Sequence, residues 1–554
     1  MHLMPRQLLC TLRAGTLART VLACAWIVLA LALTTGPARA AQVEADVLLR
    51  GGTIYDGSAA EGTLGDVAIR GERIVAVGRF CTGKVRRVID CAGLVVAPGF
   101  IDLHTHSDDA VGREDARRSL NYLLQGCTTV VTGNCGGGPA HVDKYFQRID
   151  REGFGTNVIH LVPHGSVRSL VMGSAARPAK PDELELMKQL IDQAMRQGAW
   201  GMSSGLIYAP GAYAEPAELV ALAEVVASHG GIYVSHIRNE GDNLLGAVRE
   251  AIDVARQAKL PVHISHFKAS GKANWGKIRE AAQLIEQARR QGLIVTADQY
   301  PYTASSTSLQ STLVSAAAIP GGTDKLFQRT RSDPSLDRLV RDHVARRLQR
   351  GSKIVISVCK SHPEYVGKSL QQLAAEQGLD QVEMAMRILR DGGAQVVHHG
   401  MSEEDVRWAM KLPWVATGSD GSAQVPKPDQ KPHPRSFGTF PRKVGRYAIR
   451  EKVIPLGWAI HSCTGLPAKI LSLADRGYLK PGAYADVLVF DPREFLDRAT
   501  FENPQQYAVG VRYLFIGGNL AVDSGKPSER LFGRAIRHTA ERRSFCVRPV
   551  SSSR

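Results

Sequence analysis

The sequence of 554 residues is poor in aromatic side chains, and its few cysteines are widely spaced. Phe, Trp and Tyr make up only 6% of the residues, and no basic run has interleaved aromatics, so we expect no nucleic-acid partner. The nine cysteines follow no regular spacing, which excludes a small disulfide scaffold. The sequence also has no short-period internal repeat and no low-complexity segment.

What is present is typical of a globular protein. Hydrophobic residues make up 44% of the chain and charged residues 22%, with a formal net charge of +16. The length is sufficient for a large barrel together with a smaller domain.

Residues 1–40 have the pattern of a signal peptide. Arg6, Arg13 and Arg19 precede the apolar stretch 21–33, which is short for a membrane span, and Ala38-Arg39-Ala40 resembles a cleavage site. We therefore expect export, no stable membrane span after processing, and a periplasmic or secreted protein. The alternative is an uncleaved membrane anchor.

Strand-like runs alternate with helical stretches through most of the chain. Eight apolar runs of strand type lie near residues 101, 130, 159, 202, 234, 264, 296 and 416. Eight such units predict an α/β fold with a (β/α)8 TIM-like barrel. The seventh connection is long and contains a basic helical stretch at 336–350 and a strand-like run at 353–357. Such an insertion is either a lid or a structural excursion.

The segments before and after the barrel contain short strands and turns. Residues 46–89 alternate apolar runs with turn residues, and strand-like runs return at 485–490 and 513–518. These patterns predict one small β domain that is built from both chain ends, residues 43–97 and 478–540. The barrel lies between them in the sequence, at 98–477, with an insertion near 309–410.

The residues that suit chemistry follow the apolar runs. The histidines 104, 106, 236 and 266, together with Cys135 and Asp420, each come directly after a predicted strand. Barrel enzymes carry their active sites at the carboxyl ends of the strands. Imidazole, thiolate and carboxylate are ligands of zinc, and six such residues are enough for one tightly bound ion and a second, weaker one.

Several longer segments resemble the metal-dependent amidohydrolases, and among them the N-acyl-D-amino-acid deacylases (D-aminoacylases). They include APGFIDLHTH, VTGNCGGG, SHIRNE, SHFKASGKANWGK, DQYPYTASSTSL, GSDG and HPRSFGTFPR, within residues 51 to about 537. The resemblance implies zinc-dependent hydrolysis of the amide bond of a small-molecule N-acyl-D-amino acid.

The resemblance also implies a role for each residue. Cys135, His236 and His266 would hold the tighter zinc, and His104, His106 and Asp420 would face the weaker position. Asp420 would also act as general base. The substrate α-carboxylate would be bound by Lys268, Tyr302 and Arg435.

Two other functions fit parts of the sequence. A cyclic-amide hydrolase of the dihydropyrimidinase or dihydroorotase type shares the HxH pair, but often has a modified lysine as metal bridge where this chain has Cys135. A binding protein with an inactive metal site is the non-enzymatic alternative, and the complete set of ligands argues against it.

Overall fold

The computed structural model describes residues 42–539. The predicted signal peptide lies outside these residues. In the described part of the chain, we find no helix with the length and apolarity that crossing a bilayer requires.

Eight parallel strands form the barrel, at the eight positions that the sequence predicts. They are Phe100–Asp102, Cys127–Thr132, Asn157–His160 continued by Val162–Pro163, Gly201–Gly205, Ile232–His236, Val262–Ile264, Val295–Gln299 and Val415–Thr417. Nearly all of their residues are buried, because helices cover the outer face of a parallel sheet.

The first and last barrel strands meet just beyond their carboxyl ends. The Asp420 amide donates to the His104 carbonyl at 2.8 Å, and the His106 amide donates to the Gly421 carbonyl at 2.7 Å. These hydrogen bonds close the barrel, so two predicted metal-ligand segments become direct neighbours.

Amphipathic helices surround the strands. In Leu244–Ala258, for example, buried Ala247, Val248, Ala251 and Ala255 recur at the spacing of one helix face. The other helices outside the insertion are Glu114–Arg117, Leu120–Leu123, Val142–Glu152, His164–Met172, Pro181–Arg196, Pro216–Ser228, Lys277–Arg290, Glu403–Ala409, Arg435–Pro441, the π-helix Arg442–Arg450, Leu456–Cys463 and Gly465–Ile470.

A nine-stranded sheet joins the two ends of the chain, as predicted for the fold. Its strands are Val43–Ile54, Thr63–Arg70, Arg73–Gly78, Thr82–Asp90, Val95–Pro98, Val487–Phe490, Val511–Ile516, Asn519–Asp523 and Lys526–Pro527. Val95–Pro98 pairs with Val43–Ile54 on one side and with Val487–Phe490 on the other. One strand thus links the N-terminal and C-terminal parts of the sheet.

The long insertion is a folded unit with its own apolar core. An antiparallel sheet has Gln395–His399 between Ser305–Ser308 and Lys353–Val358. Its helices are Leu309–Leu313, Leu326–Ser332, Pro334–Leu348, Leu370–Glu376 and Gln381–Arg390. The sheet spans residues 305–399, whereas the sequence placed the insertion at 309–410. The first strand of the insertion, Ser305–Ser308, follows the seventh barrel strand, Val295–Gln299, after a short loop.

Candidate active site

The six predicted metal ligands converge at the carboxyl ends of the barrel strands. Three overlapping groups have ligand atoms within 4.8 Å of one another: His104 with His106 and Cys135, Cys135 with His236 and His266, and His104 with His266 and Asp420. Residues from five different strand ends thus form one cluster.

Cys135 lies at the centre of the cluster. Its Sγ is 3.3 Å from His104 Nε2, 3.5 Å from His236 Nδ1 and 3.8 Å from His266 Nε2. His236 Nδ1 and His266 Nε2 are only 2.9 Å apart. One sulfur and two ring nitrogens therefore face a common point, which is the donor set of a zinc site.

Asp420 forms the other side of the cluster. Its Oδ1 is 2.9 Å from His106 Nε2 and 3.5 Å from His104 Nε2. Its Oδ2 accepts a hydrogen bond of 2.6 Å from Arg435 Nη1. The carboxylate therefore lies between the two histidines of the HxH pair and a cation.

Three of the six ligand residues have left-handed backbone conformations. The φ angles are +53° at Cys135, +38° at His266 and +51° at Asp420. Such conformations cost non-glycine residues about 1–3 kcal/mol each, and surrounding contacts must hold them. The hydrogen bond from the His266 amide to Asp298 Oδ1, 2.8 Å long, is one such contact. The backbone thus aims these side chains into the cluster.

Electrostatics favours the ionised forms of the cysteine and the aspartate. Burial alone would raise the pKa of Cys135, but the charge of His104 and hydrogen bonds from the histidines lower it well below its usual value. Burial likewise opposes ionisation of Asp420, and the charges of Arg435 and His104 lower its pKa. Metal ligands must be deprotonated, so this site fits a metal ion.

Asp298 supports the ligands from below, and the sequence analysis missed it. Its Oδ2 lies 3.2 Å from His104 Nδ1 and 2.9 Å from His263 Nε2, and the side chain is fully buried. Such a carboxylate fixes the orientation and tautomer of a ligating histidine. The signal in the sequence is an acidic residue inside the predicted barrel strand Val295–Gln299.

Lys268 lies against the metal cluster, where it pairs with a second missed residue, Glu240. Lys268 Nζ is 2.5 Å from Glu240 Oε1 and 2.8 Å from His266 Nδ1. Glu240 Oε1 is also 2.7 Å from His266 Nδ1. Glu240 therefore holds both a ligand and a predicted substrate-binding cation in place. Its only sequence signal is its position four residues after His236.

Arg435 also lines the cavity. Besides Asp420 it contacts the Ser306 carbonyl through Nη2 at 3.2 Å. The Arg435 amide donates to His433 Nδ1 at 3.0 Å, and His433 Nε2 is 2.9 Å from the Ala304 carbonyl. His433 thus positions the start of the helix that carries Arg435.

Tyr302 does not face the cavity, and Tyr300 does. The Tyr300 ring centroid is 5.2 Å from Arg435 Cζ and 5.6 Å from Lys268 Nζ. Tyr302 is fully buried behind the site, its ring 4.7 Å from Arg442 Cζ, and its hydroxyl has no hydrogen-bond partner among the described residues. The structure therefore corrects the prediction of Tyr302: the tyrosine beside both cations is Tyr300.

The cluster opens into a cavity of about 740 Å³. Glycines 136–138 after Cys135 form one wall, and Ser305, Ser306 and Thr307 of the insertion form another. Lys268 and Arg435 line this cavity together with the candidate metal ligands. The cavity is large enough for a small molecule, and it brings two cations next to the metal cluster.

Comparison with known proteins agrees with this arrangement. The sequence profile of the amidohydrolase family matches residues 87–309 and 331–522. The D-aminoacylase of Alcaligenes xylosoxydans xylosoxydans is 34% identical over 519 residues, which cover 89% of this chain and 98% of the relative. The chain belongs to the D-aminoacylase family of amidohydrolases.

Solved structures of related enzymes are similar to this amidohydrolase over nearly its whole fold. A D-aminoacylase with a binuclear metal centre, described as activated by one metal and attenuated by the second, is 33% identical with a TM-score of 0.77. It covers 89% of this chain and 100% of its own. The N-acyl-D-glutamate deacylase of Bordetella bronchiseptica, in complex with zinc and a phosphonate mimic of the tetrahedral intermediate, is 32% identical with a TM-score of 0.77. That comparison covers 90% of this chain and 100% of the other.

A D-hydantoinase is much less similar to this amidohydrolase. It is 15% identical with a TM-score of 0.54 over 89% of this chain and 99% of its own, which shows a shared fold alone. The cyclic-amide alternative therefore receives no support beyond the barrel, and the linear-amide interpretation is favoured.

Proposed function

We propose that this protein hydrolyses the amide bond of N-acyl-D-amino acids and releases a carboxylate and a free D-amino acid. The observation that carries the proposal is the pair of cations, Lys268 and Arg435, in one cavity with a complete set of metal ligands. An α-carboxylate held by the cations would have its neighbouring acyl amide beside the ligands. The family relationship supports the same reaction.

The residues fit zinc, with the tighter position at Cys135, His236 and His266. His104, His106 and Asp420 would hold a second and weaker ion, with Asp420 close to both positions. When bound, the metal acidifies water and polarises the acyl carbonyl.

Asp420 is the general base in this proposal. It lies at the metal cluster, and its ionised form is favoured, so it can accept a proton from the attacking water. It can then deliver that proton to the leaving amine. Asp298 keeps the ring of His104 in one orientation throughout.

Arg435, Lys268 and Tyr300 bind and orient the substrate. The planar guanidinium of Arg435 suits a carboxylate, and Lys268 adds a point charge. Fixing the carboxylate at the cations and the acyl carbonyl at the metal leaves the side-chain direction dependent on chirality. We expect the D enantiomer, on the strength of the family relationship.

Turnover of matched N-acetyl-D- and N-acetyl-L-amino acids, with metal analysis of the same sample, tests the proposal. We expect rapid hydrolysis of D substrates by a zinc-containing enzyme, and far slower hydrolysis of L substrates. A dihydropyrimidine or hydantoin substrate serves as the comparison for the cyclic-amide alternative. Hydrolysis of the ring substrate without hydrolysis of any N-acyl-D-amino acid would overturn the proposal.

We also propose that the mature protein is periplasmic or secreted. The support is the N-terminal pattern of basic residues, an apolar stretch of 13 residues at 21–33 and Ala38-Arg39-Ala40.

A further inference from the structure

A second cavity adjoins the catalytic cavity on the side of the insertion. Its volume is about 160 Å³, and it shares Ile207, Glu240, Ser305 and Thr307 with the larger cavity. Barrel loops form one side of it, and the insertion forms the other. Because the same residues line both spaces, the two cavities adjoin at Glu240, which also pairs with Lys268.

Three arginines line the second cavity, and two of them have carboxylate partners. Arg238 Nη2 lies 2.8 Å from Glu250 Oε1, and Arg350 pairs with Asp242. The Arg347 side chain is half-buried, and its guanidinium has no ion pair or hydrogen bond within the described residues. Burial and the charge of Arg350 lower the pKa of Arg347, and the charge of Asp242 acts in the opposite direction. Arg347 is therefore the one arginine of this lining without a direct carboxylate contact, since the nearby Asp242 pairs with Arg350.

Other lining groups do not neutralise that charge. Glu240 is the acidic residue of the lining, and Lys268 and His266 already pair with it. Burial lowers the pKa of His398 to about 4, and the nearby charges of His399, Arg347 and Arg350 act in the same direction. In addition, the buried Ser352 hydroxyl has no partner within the described chain. The second cavity thus combines a free cation with a free hydroxyl.

We propose that the second cavity binds a carboxylate that the substrate carries beyond its scissile amide, with Arg347 as the counter-ion. This inference rests on the proposed deacylase function and narrows its substrate class. The carboxylate belongs either to an acidic side chain, as in D-glutamate, or to a dicarboxylic acyl group. Both present the same planar anion, which suits a guanidinium.

Part of the wall of this cavity lies outside the match to the family profile. Residues 310–330 lie outside the family profile, and Ser311, Thr312, Leu313, Val314, Ser315 and Ala317 in that segment line the cavity. A cavity wall that the family profile does not describe is a place where substrate preference is expected to differ between relatives.

Two pairs of nearly isosteric substrates test the proposal. The first pair is N-acetyl-D-glutamate and N-acetyl-D-glutamine, and the second is N-succinyl-D-leucine and N-butanoyl-D-leucine. In at least one pair, we expect the unmodified protein to have a higher kcat/KM for the substrate with the additional carboxylate than for its uncharged counterpart. Arg347→Gln should reduce that preference roughly 10- to 100-fold, as for a lost hydrogen bond to a charged group. The pair that responds identifies the source of the carboxylate.

Two further variants act as controls. Arg346→Gln removes an exposed charge from the same helix, Pro334–Leu348, and should leave both preferences unchanged. Arg347→Lys keeps the charge and should retain part of the preference. An unchanged preference in a folded Arg347→Gln variant, or a parent without any preference for an anion, would overturn the proposal. Failure of the parent on every N-acyl-D-amino acid would instead overturn the proposed function.

Discussion

Cys135 is the residue on which the metal cluster depends most, because three histidines approach its sulfur. We expect Cys135→Ser to lose the tightly bound metal and the activity together, since a hydroxyl is a poor substitute for a thiolate. Metal analysis and turnover of the purified variant measure both. Cys359→Ser, which changes a buried cysteine of the insertion, should keep the metal. Full zinc occupancy and normal turnover in Cys135→Ser would contradict the assignment.

Arg435→Lys tests the carboxylate clamp. The substitution keeps a positive charge but removes the planar guanidinium that can bind a carboxylate through two N–H groups. We therefore expect kcat/KM to fall by an amount that corresponds to a loss of about 1.5–3 kcal/mol in transition-state stabilisation. The metal content should not change, because the guanidinium contacts Asp420 and Ser306 and is not itself a ligand. Parent-like hydrolysis of N-acyl-D-amino acids by this variant would remove Arg435 from the clamp.

Tyr302→Phe separates the two neighbouring tyrosines. The Tyr302 hydroxyl is buried without a partner, and such a group costs about 1–3 kcal/mol. We expect Tyr302→Phe to leave kcat/KM unchanged and to maintain or raise the melting temperature. A large loss of activity in Tyr302→Phe would restore the sequence-based assignment of Tyr302 to the substrate site.

For single residues, the sequence predicts the metal ligands at strand ends better than it predicts the residues that hold those ligands in position. Each metal ligand comes directly after a buried apolar run, and that local pattern is visible without a structure. Asp298 and Glu240 were missed because their roles depend on contacts with His104, His266 and Lys268 across the barrel. Tyr302 was misplaced because the Tyr302 amide bonds back to the Tyr300 carbonyl at 3.0 Å, and this tight turn separates the two side chains.

At the scale of elements, the π-helix Arg442–Arg450 carries a buried lysine without a partner. Burial lowers the pKa of Lys443 to about 8, and its Nζ has no hydrogen-bond partner in the described residues. Between pH 8 and the ordinary lysine value near 10.4, the unfolded chain binds more protons than the folded one. The contribution of Lys443 therefore makes the protein more stable as pH rises through this window.

Lys443→Met should remove this penalty. At pH 7 we expect the free energy of unfolding to rise, by an amount on the order of 3 kcal/mol. The difference between variant and parent should shrink as pH increases from 8 to 10. Denaturant unfolding of both proteins across this range measures it. A variant that is less stable than the parent at pH 7 would show that the ammonium has a stabilising partner.

The insertion shows where element prediction succeeds and where it stops. Local pattern predicted its basic helix and its strand near residue 353, and both are present as Pro334–Leu348 and Lys353–Val358. The placement of Ser305–Ser308 on the cavity wall could not be predicted, because it depends on pairing with Gln395–His399, about ninety residues later. Long-range pairing leaves no local signal.

For the whole molecule, the metal should contribute to stability as well as to activity. A ligand that binds only the folded state stabilises it, and the proposed ligands come from distant parts of the chain. We expect a strong chelator to abolish turnover and to lower the melting temperature, and added zinc to restore both. Loss of activity without any change in melting temperature would indicate that the metal makes no structural contribution.

Export is the second prediction at this scale. Cleavage after Ala40 should yield a mature protein that starts at Ala41, outside the cytoplasm. Mass spectrometry of the N-terminus from fractionated native cells checks it. Detection of intact Met1 in the cytoplasmic fraction would contradict the prediction, and detection of it in the membrane fraction would support the anchor.

The hydrogen bonds that close the barrel have a consequence for biosynthesis. His106 and Asp420 are 314 positions apart, so a growing chain on the ribosome has no complete set of ligands until most of the protein has been synthesised. Loading of the position that needs Asp420 is therefore a late step of maturation, whereas Cys135, His236 and His266 have all been synthesised by residue 266. If the chain is exported before it folds, the ion comes from the compartment in which the eighth strand joins the first, and the metal supply of that compartment decides which ion the protein acquires.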